Sequence, residues 1–168
     1  MRSVLFICTA NRYRSPIAAA LLTAKVERLG QSRGWEIGSA GTWAEPGLRV
    51  MPMAETMTAK WGCDLRRHRS RAVNARLLES ATLILTMTRY HQEAICAEFP
   101  KVASKTHLLS SLIGQEYDVR DPVSGHEQDY QQCAEAIYHI IEAGFEQLVA
   151  LANLTLLTSI VDITPRNG

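Results

Sequence analysis

Val4-Leu5-Phe6-Ile7-Cys8-Thr9-Ala10-Asn11-Arg12-Tyr13-Arg14-Ser15-Pro16 decides how the rest of the chain is read. Val4 to Cys8 is a continuous apolar run without alternation. That pattern suits a strand covered on both faces, as in a parallel sheet. Thr9 to Arg14 is polar, and Ser15 followed by Pro16 reads as the N-cap and first position of a helix. The helix is predicted to continue through Ile17, Leu21, Leu22 and Val26, at helical spacing, and to stop near Gly30. In open α/β sheets a strand, a short loop and a helix N-terminus hold ligands at the strand's carboxyl end.

Working outward, strands are predicted over 35–40, 81–87 and 102–109, and helices over 52–61 and 89–98. Residues 43–49 read as a loop, 64–76 as irregular and basic, and 114–125 as a polar loop. A long helix is expected over 126–152, with positions 133, 137, 140, 141, 144, 145 and 148 on one apolar face. Residues 153–168 break that period and are left open between an extra strand, a packed tail and a contact surface. Strands alternating with helices imply an open, doubly wound parallel sheet of about four strands with helices on both faces.

The chain has 168 residues, 46% hydrophobic and 21% charged, which suits a single domain over 1–168 with its own core. Eighteen Lys+Arg against seventeen Asp+Glu leave a net charge of +1, so a globally basic nucleic-acid binder is excluded. Any anion site must concentrate its charge locally. The four cysteines, at 8, 63, 96 and 133, form no C-x-x-C pair, which argues against a zinc ribbon or a dithiol redox motif. The N-terminal apolar run is too short for a signal-peptide core, and no stretch approaches the ~20 apolar residues of a membrane span. A cytoplasmic location with reduced thiols is expected.

Cys8 stands apart from the other three. Thr9, Ala10, Asn11, Arg12 and Tyr13 separate it from Arg14, and Ser15 follows. A loop of this length can wrap its N–H groups around a tetrahedral anion, and the helix beginning beside it adds its positive end. The same groups favour a thiolate. Arg14 offers a planar fork for two phosphoryl oxygens, and Ser15 a hydroxyl for the sulfur. Asn11 tolerates left-handed backbone angles that turn amides inward. Out of this context, a cysteine ending a strand is commonly an inert buried thiol.

Cys8-x5-Arg14-Ser15-Pro16, together with Ser39-Ala40-Gly41-Thr42, His68-Arg69-Ser70-Arg71, Leu83 to Met87 and Asp121-Pro122, resembles the low-molecular-weight protein tyrosine phosphatases over about residues 3–150. The resemblance implies a hydrolase without metal or cofactor. Cys8 would be its nucleophile, Arg14 and the loop 9–15 its phosphate cradle, and Asp121 its general acid. It implies a phosphorylated protein as substrate and a tyrosine kinase as counterpart; the charge balance and the lack of an apolar span lead us to expect no nucleic-acid partner and no membrane insertion.

Three departures bear on activity and specificity. Ala10 stands where the family commonly has glycine, and would be strained at positive φ. Tyr13 replaces a second cysteine that can protect the nucleophile. Val123 and Ser124 follow Asp121-Pro122 where aromatic residues often stand. Tyr13 and Trp43 are therefore candidates for aromatic contact with substrate, and Arg12 for recognition of acidic substrates. Thr86-Met87-Thr88 and Asp121-Pro122-x-x-Gly125 resemble a bacterial branch acting on phosphoarginine, whose discriminating loop threonine corresponds to Arg12. Arginine-phosphatase activity, or a phosphate-binding regulatory module with weak activity, are the alternatives.

Overall fold

A computed structural model describes residues 1–122 and 125–161, the side chains of 156 and 158–161 excepted. The strands are β1 (Arg2–Cys8), β2 (Trp35–Gly41), β3 (Leu83–Thr86) and β4 (Thr106–Leu108). The helices are α1 (Arg14–Arg28), α2 (Pro52–Thr58), α3 (Ala75–Ser80), α4 (Arg89–Glu98), α5 (Glu127–Ala143) and α6 (Phe145–Val161). The strands form one parallel sheet in the order β2-β1-β3-β4. After β2 the chain crosses back to the other side of β1, so strand order reverses between β1 and β3. The carboxyl ends of those two strands are the crevice where such sheets bind ligands.

The unbroken apolar run of β1 follows from having a core on each face. Val4, Phe6 and Cys8 point into the larger core, with Ile17, Leu21 and Leu22 of α1 and Ile137, Ile140 and Ile141 of α5. Leu5 and Ile7 point into the smaller one, with Leu78 of α3, Ile95 of α4 and Val102. Glu142 of α5 ties down α1 through Lys25 and Arg28, at 2.7 and 2.8 Å.

Several boundaries differ from expectation. The predicted strand over 102–109 shrinks to three residues, because Pro100–Lys105 winds into a 3-10 turn. Helix α3 lies within and just beyond the stretch read as irregular; the Asn74 side chain caps it by accepting from Leu77 N–H at 2.9 Å. The predicted helix over 52–61 ends at Thr58 and continues as a 3-10 turn.

The long helix over 126–152 is two helices, broken at Gly144. Its backbone lies so close to the 3-10 turn Leu109–Ile113 that a Cβ there would stand 2.6 Å from Leu112 Cβ and 2.7 Å from Ile140 O. Residues 153–161, left open between strand, tail and surface, complete α6; 162–168 lie outside the described residues. No helix among the described residues is long and apolar enough to cross a membrane.

Candidate active site

The turn between β1 and α1 is a cradle, and the direction of its peptides makes it one. The carbonyl of Cys8 accepts from Thr42 N–H (2.9 Å), that of Thr9 from Trp43 N–H (3.0 Å) and that of Arg12 from Met51 N–H (2.9 Å). The Asn11 carbonyl accepts from His68 Nε2 (2.8 Å). In a trans peptide the next N–H points away from its carbonyl. Carbonyls tied outward therefore turn the amides of Ala10, Arg12 and Tyr13 inward. Asn11 N–H already points at Cys8 Sγ, 3.3 Å away.

Asn11 is the keystone. Its φ is +56°, and no other non-glycine residue among those described is positive. Ala10 thus takes an ordinary angle, and the strain considered for it does not arise. The Asn11 side chain donates from Nδ2 to Ser15 Oγ and to Ser39 Oγ, both at 2.9 Å, and accepts from Arg71 N–H at 3.0 Å. Gly41, at the end of β2, makes this fit possible: a Cβ there would collide with the Thr9 carbonyl and stand 3.0 Å from Asn11 N.

Helix α1 begins two residues earlier than expected. Tyr13 occupies the N-cap position without a side-chain cap, so Ser15 is not the cap. The Ser15 hydroxyl instead lies 2.9 Å from Cys8 Sγ and 3.3 Å from the Ala40 carbonyl. It can donate to that carbonyl while Cys8 is a thiol, and to the sulfur once it is a thiolate.

Arg14 is buried, its side chain 4% exposed. Nη1 donates to the Val119 carbonyl at 3.0 Å, and Nη2 to Thr9 Oγ1 at 3.4 Å. Nε stands 3.1 Å from Asp121 Oδ1, close enough for an ion pair but not aligned as a hydrogen bond, and has no other partner. A buried donor left in that condition is costly unless a ligand arrives to satisfy it. Asp121 is half exposed and borders a cavity of about 340 Å³ behind its loop, also lined by Asp118, Asp129, Gln132 and Cys133.

The candidates for specificity divide. Tyr13 is turned away from the cradle into the larger core: it is 3% exposed, its hydroxyl donates to the Tyr130 carbonyl at 2.6 Å, and its ring meets Tyr130 edge-on. It offers no aromatic wall for substrate. Trp43 stands 86% exposed next to Thr9. Arg12 is half-buried and donates from Nε to the Arg49 carbonyl at 2.9 Å. Val123 and Ser124 lie outside the described residues. The other three cysteines are free thiols, and burial pushes all of them up, Cys63 to about 11 and Cys133 to about 12.

Two histidines were not singled out as site residues from the sequence. His68 holds the Asn11 carbonyl, and its pKa is lowered by burial and by Arg71 and Arg69. His91 is 2% exposed and reaches Thr9 Oγ1 at 2.9 Å; burial, with Arg14 nearby, lowers its pKa from 6.5 to about 4. The spacing Thr88-x-x-His91 at the start of a helix was the available signal.

A model of the family described as low molecular weight phosphotyrosine protein phosphatase matches residues 3–155. A protein-arginine-phosphatase of Geobacillus stearothermophilus is 33% identical over 146 residues, covering 86% of this chain and 95% of that protein. The low molecular weight protein-tyrosine-phosphatase Wzb of Salmonella typhi is 30% identical over 150 residues, covering 89% and 93%. A crystal structure of a low molecular weight protein tyrosine phosphatase from T. tengcongensis superposes with a TM-score of 0.81 at 31% identity, covering 88% of this chain and 99% of that one.

Proposed function

The chain belongs to the low molecular weight phosphotyrosine protein phosphatase family, and from that premise we propose that it hydrolyses phosphotyrosine and aryl phosphate monoesters on proteins through a phosphocysteine at Cys8. The observation that carries the reading is the buried Arg14 guanidinium, whose Nε has no hydrogen-bond partner, at the far end of the short loop that starts from a thiol ringed by inward amides.

In the first step the Cys8 thiolate attacks phosphorus, the S–P bond forms and the bond to the leaving oxygen breaks. The amides of residues 10–13 and the fork of Arg14 hold the equatorial oxygens as charge builds on them. Ser15 donates to the sulfur. Asp121, as the acid, gives its proton to the leaving oxygen. In the second step water attacks the phosphocysteine, Asp121 takes the water's proton, and the S–P bond breaks to return the thiolate and free phosphate. A phosphoryl group seated over Arg14 competes for Nε and releases Asp121 toward the leaving group.

Specificity then falls to the rim. Trp43 supplies the aromatic surface and Arg12 a cation for acidic neighbours of the phosphorylated residue. The physiological setting of this reading is the cytoplasm, opposite a tyrosine kinase.

The test is hydrolysis of para-nitrophenyl phosphate, with phosphotyrosine and phosphoarginine peptides in parallel. Cys8→Ser is expected to abolish turnover while inorganic phosphate still binds; wild-type activity in that variant would sink the assignment. Asp121→Ala is expected to slow aryl phosphate hydrolysis by roughly 10²–10⁴-fold, and an effect near unity removes Asp121 from the mechanism. Preference for the phosphoarginine peptide would transfer the same chemistry to a P–N bond, as the name of the Geobacillus relative suggests.

A further inference from the structure

We propose that His91 is a positioning residue for the anion cradle, acting through Thr9 on Arg14; the role in turnover rests on the phosphatase reading above. The contacts form a continuous line. Thr88 caps α4 by accepting from His91 N–H at 3.3 Å, and its hydroxyl lies 2.9 Å from His91 Nδ1. His91 Nε2 lies 2.9 Å from Thr9 Oγ1, and Thr9 Oγ1 accepts from Arg14 Nη2 at 3.4 Å.

The imidazole thus has a hydroxyl on each ring nitrogen. A neutral ring is at once a donor and an acceptor, so one threonine donates to it and the other accepts. This fixes the ring plane, the rotor of Thr9 and the side of the Arg14 fork that Thr9 touches. The other Nη of the fork is fixed by the Val119 carbonyl.

Among the described residues the Thr9 hydroxyl meets only His91 and Arg14, and Thr9 itself is exposed. The anchor is nevertheless buried, because His91 is 2% exposed beneath the loop. An imidazolium at this place would face Arg14 without a carboxylate in contact. Burial and Arg14 both keep the ring neutral, against a weaker pull from Asp118. The ring is therefore a hydrogen-bond bracket rather than a second cation for the phosphoryl group. Through it the start of α4 sets the orientation of an arginine on another helix.

The test compares His91→Phe, His91→Gln, Thr9→Val and the double variant Thr9→Val/His91→Phe. Inorganic phosphate binding is followed by calorimetry, and kcat and KM are measured on para-nitrophenyl phosphate. Phosphate affinity reads the cradle whether or not the protein turns over, so loss of the phosphatase reading and loss of this one are separable.

His91→Phe is expected to weaken phosphate binding about tenfold, a typical loss for a hydrogen bond to a charged group. Thr9→Val should match it and the double variant should add little more. His91→Gln, which keeps one donor and one acceptor, should recover most of the loss. A melting temperature that falls while phosphate affinity and kcat/KM stay within about twofold would overturn the proposal. So would additive effects of the Thr9 and His91 changes. Should His91→Phe fail to fold, Thr9→Val and His91→Gln at surface and conservative cost give the same decision.

Discussion

Neutral histidines beside the β1–α1 loop couple stability to pH. The His91 pKa is lowered from 6.5 to about 4, first by burial and then by Arg14. The unfolded chain therefore binds more protons at this site than the folded one between those values. Stability rises with pH across that window, is complete above about 6.5 and is lost as pH falls toward about 4. His68 and His107 are lowered too, so they add in the same direction. Denaturant unfolding of wild type should lose roughly 2–3 kcal/mol through His91 between the two limits. The difference between wild type and His91→Gln isolates it; an identical pH dependence in both would show that folding does not shift the His91 pKa. At this scale Cys8, Arg14 and Ser15 were readable because their types and spacing fit one loop. Of the partners of Arg14, Val119 was not readable and Asp121 entered only through the resemblance, since both come to it only through the crossing to β3 and beyond.

At the scale of elements, two glycines do different work. Gly41 lets the end of β2 lie against the cradle, and Gly144 lets the joint between α5 and α6 lie against Leu112. Gly41→Ala should both destabilise the fold by roughly 1–3 kcal/mol, the ordinary cost of overpacking, and weaken phosphate binding, because the nearest atom that must shift is Thr9 O, with Ala44 Cβ and Asn11 N next. Gly144→Ala should cost a similar amount in denaturant midpoint while KM of the folded enzyme stays unchanged. A lowered phosphate affinity in Gly144→Ala alone would reverse this assignment. The same pair shows what sequence can say about elements. The β1-loop-α1 unit is local, set by one apolar run and one helical spacing, and it was legible to within two residues. The break at Gly144 depends on Leu112, more than thirty residues away, and a helical period runs through the glycine undisturbed. Helix α3 is short, and its cap Asn74 follows a basic run that carries no period.

At the scale of the molecule, a net charge of +1 leaves little long-range field to draw an anion in. Attraction is local: a buried arginine, amides with fixed direction and the N-terminus of α1. Salt screens exposed charges over about 8–10 Å but reaches buried groups poorly. On a small aryl phosphate, kcat/KM should therefore change less than about threefold between roughly 0.02 and 0.5 M salt. A steep fall would show that exposed cations such as Arg12 govern capture. Architecture was legible at this scale, because a strand apolar on both faces requires two cores, and two cores require helices on both sides.

The cradle also has a history within each molecule. Its outward carbonyls are held by Thr42, Trp43, Met51 and His68, its hydroxyl by His91 and its arginine by Val119. The ribosome delivers Cys8 first and Val119 more than a hundred residues later, at speeds of about 5–20 residues per second. For several seconds the cysteine exists without its cradle, as an ordinary thiol on an incomplete chain. The cradle closes only when the last of those segments docks, so a truncated or stalled product carries Cys8 but not the loop geometry around it.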